Sequence, residues 1–409
     1  MVVAGCGPAG ALAGYLLARA GVPVLVLEKH GDFLRDFRGD TIHPSTLEIL
    51  DELGLADRFL ALPHSKVSTI MLQSTSGQTV TLSLSRVPSK FPYIAFVPQW
   101  DFLEFLTAEA RRFPTFTLKR NAEAIDLIQS GGVVSGLRYA DADGMHEATA
   151  PLVIGADGRE SRTREAAGLP RIESSPPMDV FWFRVSRRLD EPEAVAGRIG
   201  AGKLCVMLNR GDYWQVAYLI PKGGADRVRA AGIEAFRRDV ASVARELADR
   251  VEEIRDWNDV KLLTVRADRL TRWHTPGYLA IGDAAHAMSP IGGVGINVAI
   301  HDAVEAANVL WRPLREGRVT DADLARVQDR RERAVKIIQA FQSAVQTGFL
   351  KPTLESARPA TIPLIVRIVA RTPILRDIPP RLIALGVSRP HVESPELPYP
   401  PDVTDNRRS

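Results

Sequence analysis

Val2-Val3-Ala4-Gly5-Cys6-Gly7-Pro8-Ala9-Gly10 opens the chain: three apolar residues that read as a very short strand, then a loop with glycines at 5, 7 and 10. An apolar run suited to a helix, Ala11–Ala20, follows, and Val22–Leu27 read as a second buried strand closed by Glu28 and Lys29. Strand, glycine turn, helix and strand in this order form the unit that holds a dinucleotide. Gly5 permits the tight turn, Gly7 lets backbone approach a pyrophosphate, and Gly10 lets helix and strand pack closely. The helix start, with Pro8 and Ala9 on it, turns partial positive charge toward the phosphates. Glu28 stands 18 residues after Gly10, at a strand end where a carboxylate can accept both ribose hydroxyls. The unit alone does not separate FAD from NAD. Only three residues precede the loop, where strands usually have about five, which points to a start upstream of Met1 or to a clipped strand.

The remainder is read against that unit. With 409 residues the chain exceeds one ordinary domain, so two interleaved lobes are expected. At 45% hydrophobic and 25% charged the composition is that of an average globular protein. A net charge of +3 from scattered basic residues, without aromatic–basic interleaving, argues against nucleic acid. Cys6 and Cys205 are too few for a disulfide framework and form no metal motif, so no metal is expected and a reduced, cytoplasmic setting fits. No signal core opens the chain and no run of about 18 apolar residues suggests a membrane span. Ile362–Leu375 comes nearest but is interrupted by Arg367 and Arg371. It reads as a C-terminal packing helix, with contact to a membrane interface as the alternative.

Further along, Thr46–Leu60 read as helical and Lys66–Ser85 as a hairpin turning at Ser76-Gly77. Asp101–Arg112 read as a helix with Asp101 as N-cap and Glu104 three residues on. Three short strands are expected across Glu123–Ala150, with turns at Ser130-Gly131-Gly132 and Asp143-Gly144. From about Pro176 to Ala267 aromatic and β-branched strands (Val180–Ser186, Leu204–Leu208, Tyr213–Ile220) precede one amphipathic helix, Ile233–Val251. Helices dominate from Ile296, including a long polar one over Asp321–Phe349. The proline-rich end from about Glu393 reads as extended or disordered.

Two more segments carry chemistry. Gly155-Ala156-Asp157-Gly158, followed by Ser161 and Arg164, stands after the buried strand Leu152–Ile154. Asp-Gly is by default a turn, but a strand's carboxyl end is where open α/β sheets bind ligands. Gly282-Asp283-Ala284-Ala285-His286 follows the strand Tyr278–Ile281, and Pro290-Ile291-Gly292-Gly293-Val294-Gly295-Ile296-Asn297 runs into a helix. Asp283 can bind a polyhydroxyl chain, and the glycine loop can set backbone N–H groups and a helix start against an anion. His286 reads as a packed, hydrogen-bonded histidine.

In this order and spacing the three segments resemble the fingerprints of the para-hydroxybenzoate hydroxylase-like flavoprotein monooxygenases, across roughly Val2 to Trp311. The resemblance implies an α/β fold in which a Rossmann-like, glutathione-reductase-type FAD domain is interleaved with a mixed-sheet substrate domain, with helices at the C-terminus. The corresponding limits are 1–65, 87–175 and 268–330 for the FAD domain and 66–86 and 176–267 for the substrate domain. Residues 331–392 form a helical region and 393–409 an extended tail. It further implies that the first loop and Glu28 bind the ADP half of FAD and that Asp157 and Gly158 serve FAD and NAD(P)H. Asp283 would bind the ribityl chain, and Pro290 with Gly292–Asn297 (Gly293, Gly295, Ile296 among them) would line the isoalloxazine. Arg38, in Arg38-Gly39-Asp40-Thr41, is similar to the family's arginine beside the pyrophosphate and nicotinamide path, and Gln99 to its FAD-contacting glutamine.

In such enzymes NADH or NADPH reduces FAD, O2 adds at the flavin C4a position, and the hydroperoxide oxygen passes to a small aromatic or polycyclic substrate. No catalytic base stands out. His43 is a weak candidate, more simply read as a core or surface residue. Trp182 and Arg184 share one strand face, opposite Phe181 and Phe183, and with Gln215 they are weak pocket candidates. The larger relatives' thioredoxin-like domain and the halogenases' Trp-x-Trp-x-Ile-Pro signature are both missing from this reading. A prenyl-reductase-type enzyme working without O2 is the main alternative, and a ligand-binding protein on a flavin fold a minor one. An oligomer is compatible with all of these.

Overall fold

The computed structural model describes residues 1–34, 40–191, 194–356 and 361–397. Arg38 and Gly39 therefore lie outside the described residues. Six strands form the first sheet in the order His274–Thr275, Tyr278–Ala280, Val153–Gly155, Val2–Ala4, Val24–Glu28 and Phe116–Arg120. All neighbours pair in parallel except the edge strand His274–Thr275. Such a sheet is covered on its faces. The helices Pro8–Arg19, Gln99–Ala110 and Gly295–Arg315 share one apolar core with the strands. Gly14 lets the first helix lie on the sheet: a Cβ there would come within 2.9 Å of Val26.

A second, seven-stranded sheet runs in the order Lys261–Leu263, Met178–Ser186, Tyr213–Pro221, Lys203–Asn209, Val195–Gly200, Thr69–Ser74 and Thr79–Ser83. The hairpin Thr69–Ser83 thus joins strands more than 100 residues away, through a parallel pairing of Thr69–Ser74 with Val195–Gly200. The helix Ile233–Val243 covers one face, where Phe236 packs edge-on against Phe181, Phe183 and Tyr218. Two antiparallel strands, Arg171–Ser174 and Ala267–Leu270, carry the chain into and out of this region.

Several elements differ from the sequence reading. The helix expected over Thr46–Leu60 is two, Pro44–Glu52 and Ala56–Leu60, because Gly54 turns left-handed at φ +67°. The helix Gln99–Ala110 starts two residues before Asp101, with Pro98 at its N-cap, so Asp101 sits in its first turn. The helix expected to reach Val251 stops at Val243 and continues as short 3₁₀ turns. The strand Val195–Gly200, interrupted by Gly197, lacks the alternation of apolar and polar residues that marks the other strands in the sequence. The helix Asp321–Val345 ends in a π turn over Gln346–Leu350. The expected packing helix is Leu364–Arg371, and it buries none of its residues. No helix among the described residues is long and apolar enough to cross a membrane. The end of the chain is extended but pinned as far as Leu397: Arg19 holds the carbonyl of Ser394 at 2.9 Å, and its own carbonyl accepts the Leu397 N–H.

Candidate cofactor and active site

The carboxyl ends of three adjacent parallel strands lie level. Ala4 is opposite Gly155, which is opposite Ala280, and on the other side Ala4 is opposite Leu27. Each strand leaves the sheet by a backbone hydrogen bond to its neighbour: Gly5 N–H to Leu27, Ala156 N–H to Ala4 and Ile281 N–H to Gly155. The three glycine motifs, far apart in sequence, thereby meet at one edge. The contacts are tight. A Cβ on Gly5 would lie 2.5 Å from the Ala156 carbonyl oxygen, one on Gly10 2.0 Å from that of Gly5, and one on Gly282 2.9 Å from Ala9.

Gly7 is different, since a Cβ there would meet nothing within 4 Å. The protein itself does not demand a glycine at this point, whereas a ligand backing onto the loop would. The helix it caps, Pro8–Arg19, has no side-chain cap and no acid in its first turn, so its N–H groups and dipole are directed at that space. Glu28 is fixed nearby, one carboxylate oxygen accepting Cys6 N–H and the other His30 N–H, each at 3.1 Å. Lys29 is exposed beyond it. An open anion cradle beside a fixed carboxylate fits the pyrophosphate and ribose of a dinucleotide. Cys6 is buried, and burial pushes its thiol up, which disfavours the thiolate.

Asp157 spends its carboxylate within its own turn. It accepts Ser161 Oγ at 2.5 Å, Thr163 Oγ1 at 2.9 Å and Thr163 N–H at 3.1 Å, fixing the start of the short helix Arg162–Ala166. Gly158, at φ +83°, then turns the chain so that Arg159 reaches Asp283, with Nε 2.9 Å from Oδ2. Arg159 was not singled out from the sequence, although it is the cation inside the Asp-Gly turn. Asp283 is partly exposed at its strand end, where a hydroxyl-bearing chain can reach it.

Behind Asp283 lies a buried charge cluster. Asp302 accepts Gly282 N–H at 3.0 Å, faces His286 Nε2 at 2.6 Å and accepts Arg331 Nε at 2.8 Å. Burial alone would raise the Asp302 carboxyl, but His286 and Arg331 more than offset it and hold it down at about 2. The carboxylate is therefore ionised and sets the turn that presents Asp283.

The loop Pro290–Val294 enters the helix Gly295–Arg315 through left-handed glycines at 292 and 293. That helix, too, lacks a side-chain cap and a first-turn acid. Asn297 does not point into open space. Its Oδ1 accepts His43 N–H and Thr46 Oγ1 at 2.9 and 2.7 Å, and its Nδ2 donates to the Thr41 carbonyl at 3.2 Å. Gly293 and Thr41 are also bonded, through Thr41 Oγ1 and the Gly293 carbonyl. Glutamines of the long helix and of the π turn that follows it buttress this region, Gln342 and Gln346 next to the loop and Gln339 farther off. Gln339 reaches the carbonyl of Asp268, Gln342 those of Ser289 and Ile291, and Gln346 the Ser289 hydroxyl.

Trp182 and Arg184 do lie on the sheet face opposite Phe181 and Phe183. Trp182 packs in the cluster that also receives Ile291 of the glycine loop, so this face looks toward the cofactor loop. Arg184 is exposed and pairs across the strands with Gln215, which is buried and accepts Arg210 Nε at 2.8 Å. Arg210 also forms a buried ion pair with Asp40, whose carboxylate accepts Gln99 N–H at 3.2 Å. One polar chain, Gln99–Asp40–Arg210–Gln215, thus links the start of the helix Gln99–Ala110 to the seven-stranded sheet. His43 is fully buried, with Nδ1 2.7 Å from the Ile383 carbonyl; burial depresses the ring to about 4, so it is neutral and donates there.

Residues 1–341 match the family model described as FAD binding domain. The chain is 31% identical over 394 residues to 6-methylpretetramide 4-monooxygenase of Streptomyces rimosus, covering 94% of this chain and 91% of that one. It is 26% identical over 371 residues to digeranylgeranylglycerophospholipid reductase 1 of Methanopyrus kandleri, covering 87% and 91%. Among solved structures, PqsL of Pseudomonas aeruginosa, a probable FAD-dependent monooxygenase, superposes with a TM-score of 0.74 at 21% identity, covering 87% of this chain and 96% of that one. With its three motifs at one sheet edge, the chain belongs to the FAD-binding-domain family of para-hydroxybenzoate hydroxylase-like flavoproteins and is an FAD-dependent oxidoreductase of the monooxygenase type.

Proposed function

We propose that the enzyme hydroxylates a polycyclic aromatic compound of the polyketide kind, with NADH or NADPH as reductant and O2 as oxygen donor. The observation that carries this reading is the level meeting of three strand-end motifs beneath a sheet face bearing Trp182 and Gln215. The likeness to a monooxygenase named for a tetracyclic substrate, over nearly the whole chain, supports the substrate class.

FAD, when bound, would supply the redox chemistry: acceptance of a hydride from a nicotinamide and, with O2, transfer of one oxygen to an electron-rich ring while the other leaves as water. The chain's own residues bind, orient and exclude water. Gly5, Gly7, Pro8, Ala9 and Gly10 form the pyrophosphate cradle, and Glu28, flanked by Lys29, holds the ribose. Asp283 takes the ribityl hydroxyls, with Arg159 at its side. Asp157 and Gly158 shape the turn between them. Pro290, Gly293, Gly295 and Ile296 bring an uncapped helix start to the pyrimidine edge of the flavin, where negative charge develops on reduction. Asn297 positions that start from behind. Gln99 and Arg38 complete the pyrophosphate and nicotinamide side. Trp182, Arg184 and Gln215 line the substrate side. His43, buried and neutral, bonds to the Ile383 carbonyl and positions the helix Ile378–Leu385.

The purified yellow protein is tested for NAD(P)H oxidation and O2 uptake with a panel of phenols and polycyclic aromatics, and products are weighed by mass spectrometry. Gain of one oxygen on a ring supports the proposal. The likeness to a double-bond reductase keeps a second reading alive. Reduction of an isoprenoid double bond under anaerobic conditions, with no aromatic product in air, would establish that reading instead.

A further inference from the structure

Residues 361–385 hold Arg367, Arg371, Arg376 and Arg381 against a single acid, Asp377. Four arginines against one aspartate give +3, the formal net charge of the whole chain, so the rest of the sequence sums to zero. Asp377 is itself flanked by Arg86 and Arg376, each 3.9 Å away. The segment thus carries a net charge of +3 at the protein surface.

The same segment turns its aliphatic side chains outward. Leu364, Ile365 and Ile368 on the helix Leu364–Arg371, then Ile374, Leu375 and Ile378, are all exposed, Leu364 at 67% and Ile374 at 80%. A surface helix normally does the reverse. The inner side is already occupied: Val366 and Ala370 pack on the cluster of Leu354, Ile362 and Ile291, and Ala384 and Leu385 enter another beside Phe96. The segment is anchored to the body and carries a second apolar face with nothing on it among the described residues.

We infer that this segment is a docking surface for an anionic lipid bilayer. Its leucine and isoleucine side chains enter the headgroup boundary, and its arginines meet the lipid phosphates. Arg371 and Arg381 are exposed and Arg367 and Arg376 partly so, and long guanidinium side chains beside an apolar face suit that interface. Charge separates this occupant from a second copy of the chain. Two copies joined face to face by a two-fold axis would oppose arginine with arginine, whereas anionic lipid complements each one. The inner side of the segment touches the cofactor loop, Ile383 lying against Gly292, so docking would set that loop close to the lipid.

The flavin-loaded full-length protein is sedimented with phosphatidylcholine vesicles and with vesicles containing about 30% phosphatidylglycerol, at about 50 and about 500 mM salt. The expected result is at least ~10-fold more protein on the anionic vesicles, lost at high salt. Ile365→Glu with Ile368→Glu, and separately Arg371→Glu with Arg381→Glu, should each remove ~10-fold of that binding with flavin content unchanged. Equal binding to both vesicle types, or none to either, overturns the proposal. So does light scattering that finds a dimer which Ile368→Glu dissolves, because the face is then a contact between copies.

Discussion

Nε2 of His286 lies 2.6 Å from Oδ2 of Asp302, and neither side chain is more than 1% exposed. With Arg331 on Oδ1 and the Gly282 N–H also donating to Oδ2, Asp302 ties buried charge to the turn that presents Asp283. Asp302→Ala would leave Arg331 uncompensated in the core, a loss of about 3–5 kcal/mol. Denaturant unfolding should register that loss, and FAD titration a weakened site. Asp302→Asn, which keeps an acceptor for Gly282, should be milder in both.

Gly7 and Gly10 make opposite demands. A Cβ on Gly7 meets no protein atom within 4 Å, but one on Gly10 meets the Gly5 carbonyl at 2.0 Å. Gly7→Ala should fold with close to normal apoprotein stability and lose FAD affinity, whereas Gly10→Ala should disrupt the turn and stability together. Thermal melts with and without added FAD distinguish them. A Gly7→Ala protein that keeps its full flavin would falsify the pyrophosphate assignment.

Asp283→Ala should lower FAD affinity by roughly 10- to 100-fold, the worth of one or two hydrogen bonds to a charged group. Arg159→Ala, which removes the partner of Asp283, should have a smaller effect of the same sign. Flavin retained after gel filtration is the readout, and full occupancy in Asp283→Ala would refute the ribityl role.

The Asp40–Arg210 pair ties the loop before Thr41 to a turn of the seven-stranded sheet. Burial pushes the Arg210 guanidinium down to about 10, yet it remains charged at neutral pH. A double-mutant cycle of Asp40→Asn and Arg210→Met should show a stability coupling of about 1–3 kcal/mol. The single variants should also raise the substrate KM more than they lower kcat. Additive stabilities would show that the ion pair does not couple the two segments.

His43 and His301 are both buried and held neutral, at about 4 and about 3. Burial is the main cause in each, and the Arg331 charge adds to it at His301. As pH falls below the ordinary 6.5, the unfolded chain takes up protons that the folded chain refuses. Stability should therefore fall from pH 6.5 toward pH 4, with up to about two protons taken up per molecule on unfolding from this pair. Melting temperatures across that range check the sign, and His301→Gln should flatten the slope.

The sequence makes some parts of this molecule legible and not others, for physical reasons. The glycine turns are readable because conformational need is local: Gly5, Gly158 and Gly282 all adopt positive φ at strand ends. Glu28 and Asp283 are readable because they directly follow or end a buried apolar run. Partnerships are not. Nothing local indicates that Asp40 would find Arg210, 170 residues away, or that Asp302 would find Arg331. Nor does anything local indicate that the side chain of Asn297, in the loop expected to line the isoalloxazine, would bond to Thr41, His43 and Thr46. Arg38 falls outside the described residues, so its expected place beside the pyrophosphate stays a proposal.

The pinned end of the chain also bears on how the molecule assembles. His391 and Val392 bind Glu52, Glu393 and Ser394 bind Asn308, and Leu397 closes on Arg19 at the end of the first helix. Contacts of such sequence separation form late. During synthesis the first glycine-loop unit must wait for nearly 400 residues before its outer helices are stapled together. The strands of that sheet and the helices that cover it are all synthesised once Arg315 has emerged, so the staple is added last, onto a unit already formed.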